Sequence, residues 1–139
     1  MELRYEHSIS VDEYTYLRKS VGWNELEKEQ ALRGIENSAY LISVYDGDKI
    51  VAVARTVSDG GYVVLIVDVI VLPQYQGKGI GKIMMQRIMS HIKNSLKAGQ
   101  KVQVNLMAAK GREGFYSQFG FGTRPNDNEG AGMTQWLTV

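Results

Sequence analysis

The chain has 139 residues, of which 44% are hydrophobic and 22% are charged. This composition is that of an ordinary globular protein, with one domain expected across residues 1–139, and it excludes a disordered chain. A formal net charge of +1 and the lack of cysteine exclude a broadly basic nucleic-acid surface, disulfides, cysteine metal sites and a cysteine nucleophile.

The start of the chain and its longest apolar run bear on where the protein works. MELRYEHSIS lacks the apolar core of a signal peptide, and the run from Tyr62 to Leu72 is far shorter than the roughly 20 residues of a spanning helix. His7 and His91 are isolated and have no acid cluster nearby, which argues against a metal site. We therefore expect a cytoplasmic protein that binds no metal, no membrane and no nucleic acid.

The first part of the chain predicts a strand and two helices. LRYEHSI alternates enough to be the strand, and Ser10 with Glu13 three residues later predicts a capped helix in SVDEYTYLRKSVG. NELEKEQALRGIEN predicts the second helix. The residues expected to face the core are Val11, Tyr14 and Leu17 in the first helix and Leu26, Leu32 and Ile35 in the second.

The middle of the chain predicts strands that are joined by tight turns. AYLISVYDGDKIVAVARTV places Asp46-Gly47-Asp48 between alternating apolar runs, which predicts a hairpin, and SDGG predicts the next turn. YVVLIVDVIVL is apolar at nearly every position, which predicts a central strand that is buried on both faces.

The remaining elements complete the predicted fold class. A helix from about Gly79 to Leu96 carries an apolar stripe at Ile80, Ile83, Met84, Met85, Ile88 and Ile92. KVQVNLMAA predicts a strand, GREGFYSQFG a short helix that ends at Gly120, and MTQWLTV a last strand. The order predicts an α/β fold of the α+β kind, in which a mixed sheet has an antiparallel start, one parallel β-α-β crossover and flanking helices.

The glycine-rich bend QGKGIGK joins the apolar strand to the long helix. The first N–H groups of a helix lack partners, the helix dipole adds positive charge there, and glycines let the backbone approach a phosphate. The alternative is a left-handed glycine turn without a ligand. The bend fails the P-loop motif at Gln76 and Ile83, and it fails the dinucleotide fingerprint at Lys82.

A third pattern, Q/R-x-x-G-x-G/A, fits the bend, and with it the sequence resembles the acyl-CoA-dependent GNAT N-acetyltransferases. DVIVLPQYQGKGIGKIMMQRIM resembles that family's central strand, pyrophosphate loop and following helix. GFYSQFGF resembles its second signature, F-Y-x-x-x-G-F. The likeness covers most of residues 39 to 122 and implies the acyl-CoA N-acyltransferase fold, a central mixed sheet flanked by helices.

The resemblance also implies acetyl-CoA as co-substrate. Backbone amides in the bend would hold the CoA pyrophosphate, and these belong to Gln76, Gly77, Lys78, Gly79, Ile80, Gly81 and Lys82. The backbone of Val69, Ile70 and Val71 would pair with the pantetheine arm, because in the family this strand splays from the next one. Many members carry an asparagine where this chain has Ala109, so one contact to CoA is lost or replaced.

Two side chains are the candidate catalytic residues. The resemblance implies that Tyr116 protonates the departing CoA thiolate; the alternative is an aromatic ring packed on the core. Asp68 is the one charge in an eleven-residue apolar run, so it needs a partner or a task. It either forms a salt bridge or hydrogen bond, or takes the amine proton and fixes the amine, and water is the other acceptor for that proton.

We therefore expect an N-acetyltransferase that moves an acetyl group from acetyl-CoA to a primary amine by direct attack. Its partner would be a small-molecule or peptide amine, and exposed strand edges permit a homodimer. The alternatives are a non-catalytic acyl-CoA-binding sensor or interaction domain, and a transferase for a longer acyl chain. The first two helices and the tail RPNDNEGAGM are expected to set specificity, with Trp23 either a pocket wall or a core residue.

Overall fold

The computed structural model describes residues 1–139. The chain divides into two compact units, Met1–Leu106 and Met107–Val139. The expectation of a single domain stays a prediction. Every helix is too short or too polar to cross a membrane.

A five-stranded mixed sheet forms the centre of the first unit. Its strands are β1 Leu3–Glu6, β2 Tyr40–Asp46, β3 Lys49–Val57, β4 Val63–Val71 and β5 Gln103–Leu106, in the spatial order β1-β2-β3-β4-β5. The first four strands pair antiparallel, and β5 is parallel to β4. The expected hairpins and the single crossover are thus confirmed, with Gly47 at φ 59° in the first tight turn.

Three helices belong to the same unit: α1 Val11–Ser20, α2 Lys28–Glu36 and α3 Ile80–Ser95. The predicted cap of α1 is present, because the Glu13 N–H donates to the Ser10 hydroxyl and the Ser10 N–H donates to the Glu13 carboxylate. The second helix begins later than predicted. The Glu27 carboxylate accepts from the N–H groups of Glu29 and Gln30 and so marks its first turn.

The strand that is buried on both faces is β3 rather than β4. Residues Ile50 to Ala54 of β3 are all buried, and both α1 and α3 pack against this middle strand of the sheet. In β4 only Val64, Ile66 and Ile70 are buried, and the residues between them are partly exposed. The prediction for β4 was wrong because an apolar run by itself does not show how fully a sheet position is covered.

Two helix faces also differ from the prediction at single residues. In α2 the buried residue is Ala31, whereas Leu32 is 41% exposed. One residue turns a helix by about 100°, and in α2 this turn takes Leu32 from the inward face that Ala31 occupies towards solvent. In α3 the stripe Ile80, Met84, Met85, Ile88 and Ile92 is buried as predicted, but Ile83 lies at its edge and is 37% exposed.

The second unit contains one helix, α4 Glu113–Ser117, and Gly120 follows at φ 90°. Phe115 makes edge contacts with Tyr116 and Phe119, and Tyr116 makes one with Phe121. The segment MTQWLTV forms no strand, which corrects the last predicted element. Trp136 is 72% exposed there, and the segment has no neighbouring strand that would complete its backbone hydrogen bonds.

Candidate functional site

The glycine bend presents a run of unpaired backbone donors. The N–H groups of residues 77 to 82 donate to no carbonyl or side chain of the protein, and the helical ladder begins only where Ile83 donates to Gly79, at 3.1 Å. No side chain caps the helix at Gly79. Six successive donors at the start of a 16-residue helix, where the dipole is positive, suit a phosphate-bearing ligand.

Two glycines with left-handed backbone conformation, Gly77 at φ 77° and Gly79 at φ 84°, determine the path of the backbone through the bend. A side chain at either position would meet open space, so the backbone angle rather than crowding is what calls for glycine. Lys78 and Lys82 are exposed beside them and add positive charge at the rim. The bend is therefore open on the side where a side chain at Gly77 or Gly79 would project.

Gln76 differs from the other residues predicted to offer an amide. Its backbone N–H donates to the Pro73 carbonyl at 3.2 Å, and its side-chain Nε2 donates to the Val71 carbonyl at 3.0 Å. The unpaired run therefore starts at Gly77. Gln76 instead ties the bend to the end of β4.

A gap opens between β4 and β5 next to the bend. The two strands pair from Val63 with Gln103 to Ile66 with Leu106, where β5 ends. The rest of β4, from Val67 to Val71, keeps a neighbour on the β3 side only. This segment contains Val69, Ile70 and Val71, and it has the free edge that an extended amide-bearing chain needs for pairing.

Asp68 interrupts β4 with a bulge. Its φ of 54° is in the left-handed region, and the register against β3 shifts between Val53 and Arg55. An extra residue of this kind bends a strand and re-aims its neighbours. The bulge lies at the start of the unpaired edge, one residue before Val69.

The Asp68 carboxylate is surrounded by three donors. Tyr14 Oη and Arg55 Nε donate to Oδ2 at 2.6 and 2.7 Å, and Arg18 Nη1 donates to Oδ1 at 3.1 Å. The side chains of the three ion-paired residues are between 10% and 15% exposed. This is the salt bridge that the sequence analysis gave as the alternative to a catalytic role for Asp68. Three of the roughly four lone-pair sites of the carboxylate are therefore occupied by donors from the protein.

Sequence reasoning missed the partners of Asp68, although signals for two of them exist. Arg55 is the one charge in the apolar run of β3 after Lys49, and it lies next to the bulge in the sheet. Arg18 follows Tyr14 by four residues, so both share the inner face of α1. Burial and the bond to Asp68 raise the pKa of Tyr14, which keeps its hydroxyl a donor.

Tyr116 belongs to the second unit, whereas the other predicted site residues belong to the first. It lies on α4, partly buried among the phenylalanines of that unit. Burial raises the pKa of its hydroxyl, and the charge of Arg112 opposes this shift. The Tyr116 hydroxyl therefore keeps its proton at neutral pH and has one to give.

The other residues that the sequence singled out have structural contacts. His7 Nδ1 lies 2.9 Å from the Leu41 carbonyl, and His91 stacks on Tyr40 with ring centroids 4.1 Å apart. The side chains of the protein form no cluster of three or more potential metal ligands. Asn105 lies within β5 and bonds Gln103, so it does not occupy the place of Ala109.

The sequence matches the family model for an acetyltransferase (GNAT) domain over residues 11–135, which is most of its length. The chain belongs to the GNAT acetyltransferase family. It is an acyltransferase by this membership, and its mixed sheet with flanking helices is the acyl-CoA N-acyltransferase fold.

Named relatives agree with this GNAT assignment. A probable acetyltransferase of unknown function from meticillin-resistant Staphylococcus aureus, SA2161, is 30% identical, with a TM-score of 0.85 over 96% of this chain and 99% of that one. The GNAT family protein SP0256 from Streptococcus pneumoniae is 28% identical, with a TM-score of 0.78 over 98% and 96%. The uncharacterized N-acetyltransferase ycf52 of Pyropia yezoensis is 28% identical over 88% of this chain and 71% of its own length.

Proposed function

We propose that this GNAT protein transfers the acetyl group of acetyl-CoA to a primary amine. The observation that carries the proposal is the run of six unpaired N–H groups, residues 77 to 82, at the start of α3. These donors suit the CoA pyrophosphate, with Lys78 and Lys82 adding charge at the rim. The free edge of β4 at Val69, Ile70 and Val71 suits the amides of the pantetheine arm.

The reaction needs no covalent enzyme intermediate. The amine nitrogen forms a bond to the thioester carbonyl carbon, the carbon–sulfur bond breaks, and the products are the N-acetyl amine and the CoA thiol. A backbone N–H of the β4 edge would stabilise the developing negative charge on the carbonyl oxygen. Tyr116 would give its proton to the departing thiolate, since burial keeps the hydroxyl protonated.

The proton of the amine needs an acceptor, and we propose water for this task. The contacts of Asp68 with two guanidinium groups and one phenol favour a structural role for its carboxylate. Asp68 would then hold α1 and β3 against the bulge that frees the β4 edge. The alternative, in which Asp68 takes the proton itself, is tested by the variant described below.

The deciding experiment is a panel of primary amines assayed for thiol release from acetyl-CoA. We expect release with at least one class of amine, small-molecule or peptide. Tight binding of acetyl-CoA without thiol release for any amine would instead support a sensor or interaction domain. Parallel assays with longer acyl-CoA thioesters test the donor, because a higher kcat/KM for one of them would replace acetyl as the transferred group. A cytoplasmic location and a homodimer stay predictions.

A further inference from the structure

A cavity of about 320 Å³ lies in the first unit between the end of α1 and the start of α2. Its lining includes Arg18, Lys19, Trp23, Asn24 and Glu25. The volume is within the range of small-molecule sites, about 300–1,000 Å³. No residue of this cavity belongs to the glycine bend or to the β4 edge, so it is separate from the surfaces proposed for acetyl-CoA.

Arg18 is the buried cation of the cavity, at 8% exposure. Of the five N–H donors of a guanidinium group, one goes to Asp68 and one to the Asn24 carbonyl at 2.9 Å. The Nε–H is buried and has no partner. Because that Nε–H is closed to solvent, the donors that Arg18 has left for a ligand in the cavity are the two remaining N–H groups of its terminal nitrogens.

The net charge around Arg18 also favours an anionic ligand. Arg18 and Arg55 share the single carboxylate of Asp68, and the other partners of Arg55 are the neutral Gly34 carbonyl and Ser38 hydroxyl. Two guanidinium groups and one carboxylate leave one positive charge in a largely buried cluster. Such a charge is costly unless an anion approaches it.

The rest of the lining suits a molecule with both a carbon skeleton and charges. Trp23 lies with its ring centroid 5.4 Å from the Arg18 guanidinium and offers an apolar wall. Lys19 is exposed and adds to the positive charge, while the exposed Glu25 is the acid of the lining and suits a cation. Buried positive charge with an acid at the mouth fits a ligand that has an anionic end and an ammonium group.

We propose that this cavity binds the oxyanion of the acceptor, a carboxylate or a phosphate, and that Arg18 determines this specificity. The inference rests on the proposed function, and it gives the acceptor a class: a small primary amine that carries an oxyanion, rather than a polyamine. Arg18 also links the cavity to the reaction region, because its other contact is Asp68 at the bulge beside Val69.

The first test compares matched amines on the unmodified protein. One series is L-phenylalanine, L-phenylalaninamide and 2-phenylethylamine, repeated with other amino acids and their amides, and a second pair is O-phosphoethanolamine and ethanolamine. We expect kcat/KM to be about ten-fold or more higher for the member with the oxyanion, as for a hydrogen bond to a charged group. The series that responds tells carboxylate from phosphate. Equal rates within every pair, or a preference for spermidine, would overturn the proposal.

The second test uses variants of the cavity. Arg18→Lys keeps the charge beside Asp68 but replaces the five-donor guanidinium fork with an ammonium group, and Lys19→Gln removes a charge from the exposed rim. We expect Arg18→Lys to raise KM for oxyanion-bearing amines about ten-fold more than it raises the KM of their neutral partners. Lys19→Gln should do the same to a smaller extent. Lys101→Gln, an exposed lysine outside the lining, is the control.

A binding measurement separates failure of this inference from failure of the proposed function. Thermal melting with millimolar L-phenylalanine, its amide or inorganic phosphate requires no acetyl transfer. A stabilisation by an oxyanion that is lost in Arg18→Lys supports the cavity even if no amine releases thiol. A stabilisation that persists in Arg18→Lys places the anion elsewhere, and together with equal rates it overturns the inference while thiol release still supports the acetyltransferase.

Discussion

Asp68 has a backbone conformation, with a positive φ angle, that few residues other than glycine adopt. Asparagine also adopts a φ near 54° readily, so Asp68→Asn changes the charge and keeps the bulge. The substitution leaves Arg18 and Arg55 without their carboxylate. We expect a loss of about 3 kcal/mol or more in the free energy of unfolding, as for other buried ion pairs that lose one partner.

Chemical denaturation of Asp68→Asn checks this loss, with Tyr14→Phe as the milder comparison at about 1 kcal/mol. Activity assays well below the melting temperature test the catalytic alternative. If Asp68→Asn is folded there and its kcat falls by orders of magnitude at unchanged KM for acetyl-CoA, then Asp68, and not water, accepts the amine proton.

The Tyr116 hydroxyl is the group whose removal is expected to affect chemistry rather than binding. Tyr116→Phe should lower kcat by roughly 10²- to 10⁴-fold and leave the KM for acetyl-CoA within roughly two-fold. Because burial raises the pKa of Tyr116, the rate of the unmodified enzyme should not fall from loss of this proton until the pH exceeds about 10. Steady-state kinetics check both, and Tyr62→Phe, at 68% exposure, is the control. An unchanged kcat would remove Tyr116 from the mechanism.

At the scale of elements, the joint between β4 and α3 is the feature on which acetyl-CoA binding depends. Gly79→Asp would put a carboxylate among the unpaired amides and strain a backbone at φ 84°. Gly99→Asp is a matched control, because Gly99 has φ 82°, similar open surroundings and a place outside the bend. Calorimetry should therefore show acetyl-CoA affinity falling at least about ten-fold for Gly79→Asp alone. Equal losses in the two variants would mean that backbone strain explains the effect.

The hydrogen bond from Tyr45 of β2 to Glu13 of α1 leads to a prediction about how stability depends on pH. Burial and a 2.8 Å bond to Glu13 raise the pKa of Tyr45 to about 12. The unfolded chain releases this proton near pH 10, so the contribution of Tyr45 to stability is complete below pH 10 and is lost as the pH rises towards 12. Melting temperatures across this range should fall less steeply in Tyr45→Phe than in the parent protein or in Tyr62→Phe. Parallel curves for all three proteins would contradict the prediction.

At the scale of the whole molecule, the sequence predicted most of the fold because its local signals agree with the sheet. The capping residues of α1, the turn at Gly47 and the apolar stripe of α3 all lead to the observed elements. Two of the predictions that were wrong concern neighbours rather than local pattern. Burial of β4 and pairing of MTQWLTV depend on what lies beside them, and a sequence window does not contain that information.

The sequence predicted those parts of the candidate site that depend on backbone conformation. Glycines at left-handed positions indicated the bend, and a lone carboxylate in an apolar run indicated that Asp68 has partners. The contacts themselves could not be predicted, because Tyr14, Arg18 and Arg55 come from two other elements that only the tertiary fold brings to β4.

Trp23 gives the protein a built-in optical probe. The chain has two tryptophans, one lining the cavity beside Arg18 and the other, Trp136, largely in solvent in the second unit. Replacing Trp136 with phenylalanine would leave a single indole emitter, whose fluorescence maximum shifts to shorter wavelength when a ligand displaces water from its ring. Acceptor candidates could then be screened by emission alone, without a donor thioester in the cuvette.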